Sequence, residues 1–279
     1  MPVSCAQTLR SPPKHPVPKI ARMEGLPEIL AVLAAGVGAG AVNAAVGSGT
    51  LISFPVLLAT GLSPVTATVS NALGLVPGSV SAAVGYRREL AGQRGRVLKW
   101  SAGAVLGGLT GATLLLVLPA AAFETIVPVL VGLALVLVAL QPLIGRRLRD
   151  RRARTGRASA RADGGPSLLV GLALASVYGG YFSAAQGIVY VSLMGLRLDD
   201  GLQRLNAVKN VLVALVNTVA ALFFLFAADF DWTAVALLAV GSAAGGRIGA
   251  AAGRRLRPAV LRTLIVVIGT VAVVQLSAR

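Results

Sequence analysis

Charge is scarce in this chain, and acid is scarcer still. Of its 279 residues 13% are charged, against roughly 25% in ordinary soluble domains, and Asp and Glu together number only ten. All ten lie in tails, loops or at the ends of apolar segments. None stands mid-segment to relay a proton or cage a sodium ion. The single Cys, Cys5, excludes a disulfide framework, and with the single His, His15, it also excludes the usual zinc, haem and iron–sulfur ligand sets. No cofactor, metal or catalytic group is expected. Strict alternation of apolar and polar residues is missing too, which argues against a membrane β-barrel.

What the chain has in abundance is apolar length. Hydrophobic residues make up 56% of it, and apolar segments recur at about 27–61, 64–85, 98–118, 122–144, 167–197, 203–227, 232–252 and 259–277. About 20 residues suffice for a helix to cross a bilayer, so the expected fold is an all-α membrane protein, a multi-pass helical bundle in the cell membrane. A net charge of +16 would point to nucleic acid in a soluble protein. Here the Arg residues crowd the short intervals between apolar segments, and placement of basic loops on the cytoplasmic side accounts for them without a nucleic-acid partner.

Four regions follow. Residues 1–24 form a basic, Pro-rich tail, expected to be disordered and without the continuous apolar stretch of a secretory signal. Residues 25–144 and 167–279 are two transmembrane repeats, and 145–166, with eight Arg and two Asp, is a cytoplasmic linker between them. The first apolar segment starts just after Met23, so translation from that Met is an alternative beginning.

The two halves align. Asn43-Ala-Ala-Val-Gly47 matches Ser183-Ala-Ala-Gln-Gly187, and Ala-Thr-Val-Ser-Asn71 matches Asn-Ala-Val-Lys-Asn210. Farther on, the series Gly103, Gly107, Gly108, Gly111 matches Gly241, Gly245, Gly246, Gly249, and the register drifts by a single position from each match to the next. Corresponding loops carry opposite charge: Arg87, Arg88, Arg94 and Arg96 in the first half face Asp229 and Asp231 in the second. If Lys and Arg mark the cytoplasmic side, the halves lie upside down relative to each other, an inverted repeat of the kind many secondary transporters use.

Inverted copies need an odd number of crossings between equivalent points, which eight simple crossings split four and four cannot give. The first and fifth segments absorb the difference. Each is too long for one straight crossing and is interrupted by glycine, at Gly47-Ser48-Gly49 and at Gly179-Gly180 with Gly187. Either each enters and returns on one side, or each crosses twice with a short second leg such as Thr50–Thr60. The same parity puts the N-terminus opposite the basic loop at 86–97, whereas its own Arg10, Lys14, Lys19 and Arg22 argue for the other side. Orientation stays open at this stage.

The pattern Gly36-Val-Gly-Ala-Gly40, Asn43, Gly47-Ser-Gly49-Thr and Pro55, followed by a small-residue helix through Asn71 and then Tyr86-Arg87-Arg88, resembles the TauE/SafE family of membrane permeases, the sulfite exporter type. The resemblance covers about 25–277. It implies a multi-pass plasma-membrane protein and export of sulfite or organosulfonates. Where such proteins usually show a denser Gly-Gly-Gly run, this chain has Gly47-Ser48-Gly49.

Candidate chemistry is sparse. No His or acid stands in any span to activate Ser48, so Gly47-Ser48-Gly49 is not a nucleophile turn and the chain is not read as an enzyme. Those glycines either permit close packing or unwind the helix, freeing N–H groups and a positive dipole end near Thr50. Repeated near Gly187, two facing half-helix ends would hold an oxyanion. Asn43, Asn71, Gln186, Asn206, Asn210 and Asn217 are amides in apolar segments, where an unpaired amide costs several kcal/mol. They should face inward, as glue between helices or as substrate ligands. Asn71 and Asn210 stand out because they occupy aligned positions. Lys209 and Arg247 are cations well inside spans, each either snorkelling to the interface or lining an anion vestibule. The Gly103 and Gly241 series are read as close-packing faces.

The function expected is a secondary transporter for a small anion such as sulfite, an organosulfonate or a related sulfur oxyanion, with the bilayer and that anion as its partners. A transporter of another small solute and a non-transporting scaffold subunit are the alternatives. Oligomeric state is not legible. Two outcomes check the reading. Residues 27–144 and 167–277 should superpose by a rotation of about 180° around an axis in the membrane plane, and an axis along the membrane normal would overturn the inverted arrangement. Mass spectrometry of native material that finds N-terminal peptides from residues 1–22 would exclude a start at Met23.

Overall fold

The structure, a computed structural model, describes residues 25–155 and 164–252 together with positions 267 and 270. The tail 1–24, residues 156–163 of the expected linker, and the eighth apolar segment apart from those two positions lie outside the described residues. Ten helices are described: α1 (Leu26–Ala45), α2 (Thr50–Ala59), α3 (Pro64–Gly74), α4 (Val76–Gly85), α5 (Arg94–Val117), α6 (Ala120–Thr155), α7 (Pro166–Tyr181), α8 (Gln186–Arg197), α9 (Leu202–Ala227) and α10 (Trp232–Ala252). There is no strand among the described residues. Among the described residues six stretches are long and apolar enough to cross a membrane: 26–45, 64–85, 94–117, 120–140, 202–227 and 232–251. The chain is a multi-pass membrane protein.

Local chemistry explains the element ends. Ser63 caps α3, its hydroxyl accepting from Thr66 N at 3.3 Å, with Pro64 opening the first turn. The carboxylate of Asp231 accepts from Ala234 N at 2.7 Å and caps α10, while Asp231 N donates to Ser70 Oγ at 3.0 Å and ties that cap to α3. The second apolar segment divides into α3 and α4 at Leu75, just before Pro77. Proline has no N–H to continue the helical ladder, so the segment kinks there. Helix α6 runs 36 residues, so the expected linker is helical as far as Thr155.

Both glycine-interrupted segments are helical hairpins, and the contacts choose between the two alternatives that parity allowed. In the second, α8 runs back along α7. Gly179 meets Gln186, Ser176 Oγ lies 2.7 Å from the Tyr190 hydroxyl, and Gly171 meets Leu193. The Arg197 guanidinium at the far end of α8 then bonds Ser167 at the start of α7. The chain enters and leaves at one end. In the first, Gly49 packs on Ala39 and Asn43, and Ile52 lies against Gly38, so α2 doubles back beside α1.

The breaks sit at 46–49 and 182–185, not at every glycine the sequence singled out. Gly179, Gly180 and Gly187 are helical. Gly179 and Gly180 give close approach instead: a Cβ on Gly180 would lie 2.1 Å from Gly108 O. The turn in the second break is made by Ser183 and Ala185, non-glycine residues at φ +64° and +57°. The equivalent turn in the first uses Gly47 at φ +91°. Val46 N and Gly47 N both donate to Val42 O, and Phe182 N and Ser183 N both donate to Tyr178 O. The backbones of the two breaks therefore pair Gly47 with Ser183, one helical turn away from the register in which the sequence motifs pair Gly47 with Gly187.

Each half lends its first helix to the helix of the other half that carries the glycine series. Helix α1 lies on α10 with Leu33 at Gly241, Val37 at Gly245 and Ala41 at Gly249, and α7 lies on α5 with Ala173 at Gly107 and Val177 at Gly111. Both pairs are parallel. The start of α5 and the start of α9 share one end of the bundle, where Arg96 and Arg204 both pair with Asp200 and Gln93 Nε2 donates to Arg204 O at 3.3 Å. Helix α7 starts at that end because it parallels α5. Helix α10 starts where α9 finishes, and α1 parallels α10, so α1 and α7 enter from opposite ends.

The close pairs depend on absent side chains. A Cβ on Gly245 would lie 2.0 Å from Val37 O, whereas one on Gly132 of α6 would meet nothing within 4 Å. Gly245→Val should lower thermal stability in detergent by an amount in the range of overpacked cores, about 1–3 kcal/mol. Gly132→Ala should leave it unchanged or raise it by up to about 1 kcal/mol. Melting followed by size-exclusion fluorescence checks both.

Candidate functional site

The first break gathers the buried polar side chains. Lys209 on α9 is fully buried, and its Nζ donates to Asn43 O at 2.9 Å and Ala44 O at 3.0 Å. Asn210 Nδ2 adds a bond to Ala44 O at 3.2 Å. These carbonyls belong to the last turn of α1, which has no intrahelical donors left, and a cation there also meets the negative end of the helix dipole. Lys209 therefore does not snorkel. An ammonium carries three N–H donors, and two of them are used. No carboxylate pairs with Lys209 among the described residues, so its charge has no counter-ion there.

On the outgoing side of the same break, Asn71 Nδ2 donates to Thr50 Oγ1 at 3.3 Å, and the Ser53 hydroxyl bonds Asn71 Oδ1. Thr50 Oγ1 also lies 3.0 Å from Ser183 Oγ, joining the first break to the second. Asn71 and Asn210 are both buried, yet their contacts are not related by symmetry. Asn71 holds the start of α2 within its own half, whereas Asn210 reaches across to the end of α1. Asn43 Nδ2 and Asn217 Nδ2 both donate to Ser79 Oγ on α4, at 3.4 and 3.0 Å. One hydroxyl thus links α1, α4 and α9.

Apart from Ser183, the polar side chains of the second break bond locally. Gln186 Nε2 donates to the Tyr190 hydroxyl at 2.9 Å, and that hydroxyl meets Ser176 Oγ. The two breaks touch through backbone: Gly187 N donates to Gly47 O at 3.0 Å. A Cβ on Gly47 would lie 2.4 Å from Gly187 Cα, and one on Gly187 would lie 2.9 Å from Lys209 Cδ. Only glycine at both positions permits this crossing with the lysine stem beside it.

Of the residues expected from sequence, Asn43, Gly47, Gly49, Asn71, Gly187, Lys209 and Asn210 come together here. Ser48 lies fully buried in the first break, and its hydroxyl has no partner among the described residues. Gln186 joins the group only through its neighbour Gly187. Asn206 is buried one turn before Lys209 and Asn210 on α9. Arg247 is not part of the cluster: it is exposed on α10. Sequence reasoning missed Thr50, Ser53, Ser79 and Ser183. Thr50 and Ser53 were legible as hydroxyls one turn apart directly after the glycine break, but Ser79 and Ser183 carried no signal apart from their partners.

The profile of the family described as Sulfite exporter TauE/SafE matches residues 32–276. Probable membrane transporter protein YfcA of Escherichia coli (strain K12) is 27% identical over 234 residues, which are 84% of this chain and 83% of that protein. Its counterparts of the same name in Escherichia coli O6:H1 and Escherichia coli O157:H7 show the same identity and coverage. No solved structure matches the chain. With its apolar helices, paired hairpins and nearly the whole described bundle inside the matched range, the chain belongs to the TauE/SafE family of membrane transporters.

Proposed function

We propose that the protein is a secondary transporter for a small oxyanion, sulfite or an organosulfonate, and that the anion binds where the two breaks meet, with Asn71, Asn210 and Lys209 as its side-chain partners. The observation that carries this reading is Lys209, a buried cation with a spare N–H donor and no carboxylate partner among the described residues. Removing a charge from water without a counter-ion costs several kcal/mol, and an anion in the site would offset that cost by attraction in a medium of low effective dielectric. The amides and the backbone of the breaks then supply geometry.

Entry of α1 and α7 from opposite ends, and the exchange of first helices between halves, support reading the halves as inverted copies around the site. Alternating access would then be a movement of one half against the other about the Gly47–Gly187 crossing. The spans offer no acid or His to a reacting substrate, so the reading is transport without catalysis, and it needs no cofactor and no nucleic acid.

A thermal-shift panel of sulfite, sulfate, thiosulfate, taurine and sulfoacetate should find at least one anion that stabilises the purified protein. Stabilisation by none would remove the anion reading and leave another solute or a scaffold role. In proteoliposomes, Lys209→Gln should weaken anion affinity about tenfold or more, as expected for losing a charge-assisted hydrogen bond. Asn71→Ala and Asn210→Ala should slow flux while the protein still inserts. Wild-type affinity and rate in all three variants would exclude this site.

A further inference from the structure

The two breaks look equivalent in outline but differ in what they leave free. At the start of α8 Gln186 N donates to Ser183 O at 3.4 Å, while Gly187 N and Ile188 N are engaged as their counterparts Leu51 N and Ile52 N are. At the start of α2 the bond from Thr50 N to Gly47 O, the counterpart of the one from Gln186 to Ser183, is not made. That carbonyl accepts from Gly187 instead. The N–H groups of Ser48, Gly49 and Thr50 have no acceptor among the described residues, and of their counterparts Ala184, Ala185 and Gln186 only Gln186 is engaged, so the backbone difference is the N–H of Thr50.

Two further differences point the same way. Gly49 has helical dihedrals, φ −59° and ψ −36°, so its N–H and that of Thr50 continue the direction of the α2 ladder. The residue before α8, Ala185, is left-handed at φ +57°, which turns its N–H out of line. In the register of the bends Ser48 corresponds to Ala184, which has no donor side chain. The Ser48 hydroxyl is fully buried and has no partner among the described residues in the turn that carries these N–H groups, whereas the unpartnered side-chain atom at the start of α8, Gln186 Oε1, is an acceptor that repels an anion. A buried polar group left without a partner is costly.

We propose that the anion seat is the start of α2 alone, with the Ser48 hydroxyl and the N–H groups of Ser48, Gly49 and Thr50 as donors, and that the start of α8 is not a second seat. This rests on the small-anion reading and assigns one anion per chain. The seat offers donors beside a cation, so it fits a compact, fully ionised oxyanion head whose oxygens all accept. Helix-end binding of this kind needs no formal charge in first contact with the anion.

The test uses Ser48→Ala. Because the hydroxyl has no partner among the described residues, its removal should leave the ligand-free melting temperature unchanged or higher. The dissociation constant for sulfite, or for whichever anion of the panel binds, should rise about tenfold or more. Ala184→Ser, at the corresponding position, should leave that constant unchanged. As a second readout, the thiol introduced by Ser48→Cys in a Cys5→Ser background should react with a small methanethiosulfonate more slowly when the binding anion is present. If no anion stabilises the wild type, the anion reading itself fails. If anions stabilise the wild type and Ser48→Ala equally, and the introduced thiol is unprotected, the seat is wrong while transport stands. A loss of affinity in Ala184→Ser equal to that in Ser48→Ala would overturn the asymmetry.

Discussion

Everything in this bundle follows from one contact, the backbone crossing of Gly47 and Gly187. Irregular backbone inside a membrane survives only where protein or a wet cavity satisfies its polar groups. Two breaks placed against each other solve part of that problem mutually, since a donor from one meets an acceptor of the other at 3.0 Å. The solution demands that the chains approach to backbone distance, which excludes a Cβ at either position. It also demands that the supporting helices close in. The Gly103 and Gly241 series allow this by bringing α7 onto α5 and α1 onto α10 at backbone contact.

Much of the fold is legible in the sequence, because membrane helices are read from length and apolarity alone. Seven of the eight apolar segments correspond to described helices or hairpins, and the Ser63-Pro64 start of α3 follows from its chemistry. The failures have physical reasons. Gly179 and Gly180 are expected to interrupt the helix, yet they remain helical, and their missing side chains admit the Gln186 side chain and the Gly108 backbone instead. The second turn is made by Ser183 and Ala185, whose left-handed dihedrals cost of order 1 kcal/mol or more each and leave no trace in composition. The helical course of α6 to Thr155 is hidden for the opposite reason. Arg-rich sequence reads as a solvated linker, although Arg is a good helix former.

For the site, the amides and Lys209 are visible as polar residues in apolar stretches, since burial of such groups requires a purpose. Their partners are not. Lys209 meets main-chain carbonyls of α1, and carbonyls belong to every residue alike, so no sequence pattern could announce them. Arg247 shows the converse. It shares with Lys209 a place deep in an apolar segment, but it faces outward from α10, where a long side chain is able to reach the interface. Position along a span does not distinguish the two cations; the face of the helix does.

The one-turn slip between the register of the motifs and the register of the bends carries the deepest consequence. The motifs pair Gly47 with Gly187, but the chain's bends pair Gly47 with Ser183. The two glycines therefore meet not as equivalents but as a turn residue against a helical one. A crossing between non-equivalent positions cannot be symmetric, and its single hydrogen bond runs one way, from Gly187 to Gly47. With Gly47 O taken by Gly187, Thr50 N lacks the acceptor that its counterpart Gln186 N finds in Ser183 O. Lys209 occupies the position aligned with Ser70, so the cation too is found on one side only, at the end of α1. The slip thus leaves an unpartnered hydroxyl donor and the buried Lys209 at the first break, whereas the buried side-chain atom without a partner at the start of α8 is an acceptor, Gln186 Oε1, among the described residues.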